Sequence, residues 1–482
     1  MSMRVRSGLL RAVALVALLS PAGAYAETLG DAVALAYQTN PTLAAQRAQL
    51  RALDENYVQA RQGFRPTADA GADFSYQNNE AAPDDANAIG VALSATQPLY
   101  NGGRTANAVR SAEAAILAGR EDLRQIEASV LLSTIQAFVD VRRDFQSLNI
   151  RQENVAVLRR QLEESQARFE VGEITRTDVA QSEARLASAQ AQLATAQAQL
   201  AISRSNYAAV VGQNPGDLEP EPPLPGVPTD IDEAFDVAQV ENAAIRSAAF
   251  AEEASRSRIA QARSELRPTV GLRAQYGYGG PVVPFDIRDV DRTFSASAVV
   301  SQPLYAGGLR RSRIRQATEQ NNADLIEIEG ERRDVLRSVS QAFNQVLAAR
   351  GNITSQLEQV RANRIAAEGV REEAAVGLRT TIEVLNAEQE LRNSELLLVN
   401  ARRDDYVAAA SLLSAMGRLE ARNLIAQVDL YDPAVNFDRV KGKGGVPWEP
   451  LVERLDNIAA PVPAERPATQ PIMSGETVAT AR

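Results

Sequence analysis

The chain has 482 residues, a formal net charge of −10 and no cysteine or histidine, which excludes disulfides, thiolate nucleophiles, histidine-based triads and most zinc or iron sites. Aromatic residues make up 5% of it and tryptophan occurs once, too few for large globular cores, whereas its abundant alanine and leucine suit closely packed helices. The acidic balance argues against nucleic acid as a partner.

Residues 1–26 carry Arg4, Arg6 and Arg11, an apolar run from Leu9 to Leu19, and the small-x-small triplet Ala24-Tyr25-Ala26. This is the pattern of a secretory signal peptide, with a run too short to be retained as a spanning helix. Its removal takes three arginine charges with it, moving the net charge from −10 to −13.

Residues 27–215 form a first structural repeat. After an N-terminal helix, a hairpin is predicted over 66–100. Thr67, Asp69, Gly71, Asp73, Ser75 and Gln77 alternate with Ala68, Ala70, Ala72, Phe74 and Tyr76, and Ile89, Val91, Leu93 and Ala95 alternate with Gly90, Ala92, Ser94 and Thr96. That is period two, with NNEAAPDDANA between the strands as a polar loop. Pro98, Tyr100, Gly102 and Gly103 then return the chain to helix, Tyr100 being placed for an interfacial aromatic belt.

No proline occurs between Pro98 and Pro215, so a long helix is predicted over 103–170 and a second over 174–212, joined at Gly172. Val141, Leu148, Val155, Leu162 and Phe169, with Phe138 and Phe145, predict the seam of the first. Val179, Leu186, Leu193, Leu200 and Tyr207, alternating with Ser182, Ala189, Ala196 and Ser203, predict the seam of the second. The first helix is a rod on the order of 100 Å at about 1.5 Å per residue.

A proline-rich linker, 216–230, leads into a second repeat, 231–430. SATQPLYNGGR at 94–104 recurs as VVSQPLYAGGLR at 299–310, and VGEITRTDV at 171–179 recurs as VGLRTTIEV at 376–384; Gln97 to Gln302 and Gly172 to Gly377 are both offsets of 205. A hairpin over 268–305, a long helix over 308–375 and a helix over 380–417 are predicted, with Pro303, Tyr305, Gly307 and Gly308 at the strand-to-helix transition and Gly377 at the tip. Val384, Leu391, Leu398 and Leu412 continue the seam, interrupted by Asp405. Residues 431–482 are rich in proline and are expected to be extended or disordered.

Strands of about ten residues with one apolar and one polar face match an outer-membrane β-barrel, and four strands leave two open edges. Three chains would give twelve strands, so a homotrimer is expected.

The mature start ETLGDAVALAYQTNPTL, the QPLY-x-GG transitions and the paired turns VGEITRTDV and VGLRTTIEV resemble the TolC family of outer-membrane channels over roughly residues 27–430. The resemblance implies an α+β membrane protein: a trimeric twelve-stranded barrel, four strands per chain, in the outer membrane of a Gram-negative bacterium, continued by a long periplasmic α-helical barrel. It also implies a periplasmic adaptor (membrane fusion) protein and an inner-membrane ABC or RND-type transporter as partners, for drug efflux or type I protein secretion.

In that family the helix tips close the entrance. Glu383 and Asn386 fall where it often carries two aspartates, and Arg379 where it often carries a linking arginine. Asp178, Thr177 and Arg176 hold the equivalent positions in the first turn. Asn386 lacks a charge, and Ala374 stands where the family can place an aromatic. Acids in a first helical turn also favour the dipole, which is an alternative account of Asp178 and Glu383. A secreted coiled-coil scaffold would explain the heptads but not the hairpins. No enzymatic activity, metal or cofactor is expected, since no carboxylate pair sits in an aromatic-lined groove.

Overall fold

The computed structural model describes residues 27–79, 82–281, 291–425, 429–458 and 460–463; the predicted signal peptide, 1–26, and the tail beyond 463 lie outside them. The first repeat runs α1 (Leu29–Thr39), α2 (Pro41–Ala60), a 3-10 turn (Arg61–Phe64), β1 (Thr67–Asn79), β2 (Ala82–Tyr100), α3 (Arg104–Glu170) and α4 (Arg176–Val211). The second runs α5 (Ile231–Glu241), α6 (Ala243–Ser264), β3 (Thr269–Pro281), β4 (Asp291–Ser301), α7 (Leu309–Ala375) and α8 (Thr381–Met416). Three short helices follow: α9 (Ala421–Leu424), α10 (Pro433–Val440) and α11 (Glu449–Asn457).

The duplication extends to element length and to single hydrogen bonds. The long helices α3 and α7 both have 67 residues, and α4 and α8 both have 36. Asn40 and Asn242 each cap the following helix, and each also donates its side-chain amide to the end of the returning helix, Asn40 to Val210 O at 3.0 Å and Asn242 to Ala415 O at 2.8 Å. The caps also explain why the helices start a residue or two later than predicted. Thr175 and Thr380 stand outside as N-caps of capping boxes, and Gly103 and Gly308 are left-handed N-caps.

The sheet is antiparallel in the order β1-β2-β3-β4. Its register aligns Ala70, Leu93, Tyr276 and Phe294 in one row and Asp69, Ser94, Gln275 and Ser295 in the next, so one face is apolar and the other polar. Phe74, Leu93 and Phe294 are 67%, 54% and 69% exposed, a bare face suited to lipid and not to water. The predicted polar loop is shorter than expected. Ala86 pairs with Gln77 and Ala82 with Asn79, because ladder bonds offset the low strand propensity of Pro83, Asp84 and Asp85. The two transitions also differ: Pro98 and Tyr100 stay in the sheet opposite Gly271 and Val270, whereas β4, at the sheet edge, ends at Ser301 and leaves Pro303 and Tyr305 outside it.

Helices α3 and α4 form one antiparallel coil and α7 and α8 the other. In the α4 seam Ser182, Ala189, Ala196, Leu200, Ser203 and Tyr207 are buried, and the predicted Val179, Leu186 and Leu193 are half-buried. In α3, Phe138, Val141 and Val155 are buried, but Phe145 and Phe169 are 49% and 44% exposed. The seam partners of Val141 and Val155 are instead Asp144, bonded to Ser203, and Leu158, since spacing by three identifies two possible flanks and only packing selects one. Asp405 does interrupt the α8 seam. Burial pushes its carboxyl up, countered by Arg350 at 3.7 Å.

Around the middle of the coils, α1 and α2 lay Leu29, Val33, Tyr37 and Leu43 against Leu131, Ile135 and Phe138 of α3. Helix α5 sets Ala234 and Ala238 against Val339, Phe343, Leu412 and Met416. The linker packs here too, with Tyr406 donating to Pro222 O at 2.8 Å.

The expectation of an extended or disordered tail does not hold for Pro433–Val440 and Glu449–Asn457, which are helical. Helices α10 and α11 climb along α2 to the base of the sheet: Asn436 bonds Asp54 at 2.7 Å, and Arg61 and Arg65 both pair with Glu449, at 2.7 and 3.1 Å. Composition missed this because the segment has no core of its own and borrows one from Tyr57, Phe64, Val109 and Ile116, into which Val452 inserts.

The tail separates two glycines that share one conformation, Gly103 with φ 82° and Gly308 with φ 83°. Alanine at either costs about 1–2 kcal/mol in left-handed strain. At Gly103 the new Cβ would also lie 2.5 Å from the Ala460 Cβ, whereas at Gly308 it would meet nothing within 4 Å. Gly103→Ala is therefore expected to lower the unfolding midpoint more than Gly308→Ala; equal losses would mean that Ala460 does not pack there.

Candidate functional site

The helix tips are two copies of one turn. Each passes through a left-handed glycine, Gly172 with φ 77° and Gly377 with φ 81°, and each returns through a capping box. At the first tip Asp178 accepts from the Thr175 backbone N–H at 2.9 Å and its hydroxyl at 2.8 Å. Those two bonds hold the Asp178 carboxyl below the usual carboxylate range. Asp178 thus serves as the acidic member of the capping box that starts α4. Arg176 and Thr177 are exposed, and their side chains make no hydrogen bond or ion pair among the described residues.

At the second tip Glu383 accepts from the Thr380 N–H and hydroxyl, both at 2.8 Å, and also from Arg379 at 2.9 Å. Arg379 reaches back to Glu373 at 2.7 Å. The Thr380 N–H, then its hydroxyl, then Arg379 lower the Glu383 carboxyl to about 2. Glu383 therefore does two things at once: it caps α8 and belongs to a triad of two carboxylates and one guanidinium. Arg379, in the position of a linking arginine, is used inside its own turn.

The connection between coils comes from residues that the turn motif did not single out. Arg185 on α4 donates to the Asn386 side-chain oxygen at 2.9 Å. Farther along α8, Arg392 pairs with Glu153 at 3.4 Å and Arg403 with Asp140 at 2.8 Å, both on α3. Leu385, 2% exposed, inserts among Val155, Leu158 and Ala189 of the first coil. Within the second coil, Arg371 and Arg392 hold the buried Glu388. Charges flanking a heptad seam are the signal that could have flagged Arg185, Arg392 and Arg403, but many arginines flank these seams and spacing does not choose partners.

Residues 32–213 and 234–418 match the outer membrane efflux protein family. The chain belongs to that family. This outer membrane efflux protein is similar to the outer membrane efflux protein BepC of Brucella suis biovar 1, with 33% identity over 420 residues, covering 87% of this chain and 92% of BepC. It is 24% identical to the outer membrane protein TolC of Escherichia coli over 424 residues, covering 83% and 84% of the two chains. Its fold is that of the solved Campylobacter jejuni CmeC outer membrane channel, with a TM-score of 0.73 at 15% identity over 86% of this chain and 89% of that one. The protein is thus an outer-membrane channel component of the TolC type, as its motifs implied.

Proposed function

We propose that three copies of this chain close a twelve-stranded barrel whose lumen continues into the helical tunnel, forming the exit duct of a tripartite exporter. The observation that carries this reading is the sheet: β1 and β4 are both edge strands, and one face is bare and apolar. Open edges are not tolerated in lipid, so other copies must close them. The duct is passive; a periplasmic adaptor and an inner-membrane transporter would supply cargo and energy. Mass in detergent and single-channel conductance in planar bilayers test the proposal. A monomer, or a trimer that conducts nothing, would return the chain to a coiled-coil scaffold.

The helix tips form the entrance in this reading. The triad of Glu373, Arg379 and Glu383 carries one net negative charge per chain, enough to attract cations weakly. Glu383→Gln is expected to weaken block by polyvalent cations applied from the entrance side, and unchanged block would remove Glu383 from the gate. The sign of the pH dependence follows from the depressed carboxyl. Any stabilisation of the tip by Glu383 is fully present above its ordinary value of 4.5 and is lost as pH falls through about 2. The Glu383 contribution to block should accordingly persist at about pH 4, where an ordinary glutamate is already more than half protonated.

A further inference from the structure

Helix α11 buries one face and bares the other. Glu449, Val452 and Asp456 point inward at 4%, 3% and 1% exposure, while Leu451, Leu455 and Ile458 are 61%, 37% and 62% exposed, with Trp448 at 48% beside them. Leu451, Leu455 and Ile458 follow the i, i+4, i+7 spacing of a single stripe, too apolar to be left in water without an occupant.

Its place in the fold identifies the occupant. The Trp448 indole N–H donates to the Gln97 side-chain oxygen at 3.0 Å. Gln97 lies in line with Val91, Leu93 and Ala95 on the apolar face of β2. The helix therefore sits outside the sheet, at the base of its lipid-facing side, where β2 becomes α3. Charge points the same way. The only two lysines of the chain, Lys441 and Lys443, lie on the turn leading into α11. Each has one acidic neighbour, Asp438 at 2.7 Å and Glu55 at 3.7 Å, and remains more than half exposed.

We propose that α11 is an interfacial helix: Trp448, Leu451, Leu455 and Ile458 seat in the periplasmic leaflet of the outer membrane, and Lys441 and Lys443 meet phospholipid phosphates. Aromatic rings with one polar edge favour that depth, and the Gln97 bond fixes the ring against the barrel. Among the described residues the second repeat has no such helix, and its equivalent transition leaves Leu304 and Tyr305 92% and 90% exposed. A trimer would then carry one lipid-seated helix per chain, beneath the first hairpin only. This rests on the barrel reading above.

Trp448 is the only tryptophan, so the fluorescence of the full chain reports this helix alone. The chain is reconstituted in vesicles of phosphatidylethanolamine and phosphatidylglycerol, with or without phosphatidylcholine brominated near the glycerol end or near the methyl end of its acyl chains. Severalfold stronger quenching by the shallow bromines than by the deep ones, with little quenching by aqueous iodide, is expected. Replacing Leu451, Leu455 and Ile458 by serine should reverse that order in favour of iodide. Strong iodide quenching of the unaltered chain with silent bromines would show a solvated face, and silence to both would show a face covered by a neighbouring copy; either overturns the assignment. Conductance of the same vesicles separates the two readings: without it the barrel falls and the proposal with it, whereas conducting channels with a bromine-insensitive Trp448 overturn α11 alone.

Discussion

Replacing Arg185, Arg392 and Arg403 together by serine is expected to raise single-channel conductance severalfold, by letting the second coil swing away from the first at the entrance. These three arginines make the polar links from α4 and α3 to α8, to Asn386, Glu153 and Asp140. Each link is partly exposed and worth about 0.2–1 kcal/mol, so the set supplies about 1–3 kcal/mol. That is enough to change the ratio of closed to open entrances by about 5–150-fold. The apolar seams that hold each coil together keep Ala189, Leu200, Leu391 and Leu398, and the buried Glu388, which loses Arg392, keeps Arg371. The trimer should therefore survive. Leu385 would still tether the coils and keeps the effect graded, so single replacements should give smaller steps, largest for Arg185 nearest the tip. A triple variant that assembles and conducts like the unaltered protein would show that these links do not hold the entrance.

The second large effect is expected at the other end of the tunnel. Asp456, 1% exposed, accepts from the backbone N–H groups of Asn101 at 2.6 Å, Gly103 at 3.1 Å and Ala106 at 3.3 Å. It serves as the missing side-chain cap of the longest helix in the first repeat, supplied from more than 350 residues away in sequence. Asp456→Ala would leave three donors at the start of α3 without this acceptor and remove a charge favoured by the dipole. The cost is about 2–4 kcal/mol, borne locally by the tail and the transition. Limited proteolysis should then cut between α9 and α11 much faster, and Trp448 emission should shift to the red as its bond to Gln97 loosens. Asp456→Asn, which keeps an acceptor oxygen, should lose less than half as much. Protease resistance equal to that of the unaltered chain would mean that Arg61, Arg65 and Val452 hold the tail unaided.

Much of this architecture is legible without coordinates because its determinants are local and periodic. The absence of proline over more than a hundred residues, the turn glycines Gly172 and Gly377, the acids of the first helical turns and the period-two alternation of β1 to β4 each act within a few residues. Duplication then checks each reading against its copy. At the candidate site, the positions of Asp178, Glu383, Arg379 and Asn386 at the tips were legible, and so was helix-start chemistry as an account of the acids. The bond from Arg185 to Asn386 was not, since an arginine on a heptad flank has many possible partners. Nor was the choice between Phe145 and Asp144 on the α3 seam.

By itself, then, the sequence determined the two repeats, the lengths of their helices, the lipid-compatible face of the sheet and the chemistry of the turns. Only the tertiary structure decided which arginines join the coils, and that a proline-rich tail becomes two helices clamped beneath the first hairpin. The physical reason is range. Caps, periods and turns are settled by neighbours in the chain, whereas Asp456 beneath Gly103, Trp448 beside Gln97 and Arg403 against Asp140 become favourable only after distant segments have been brought together by packing.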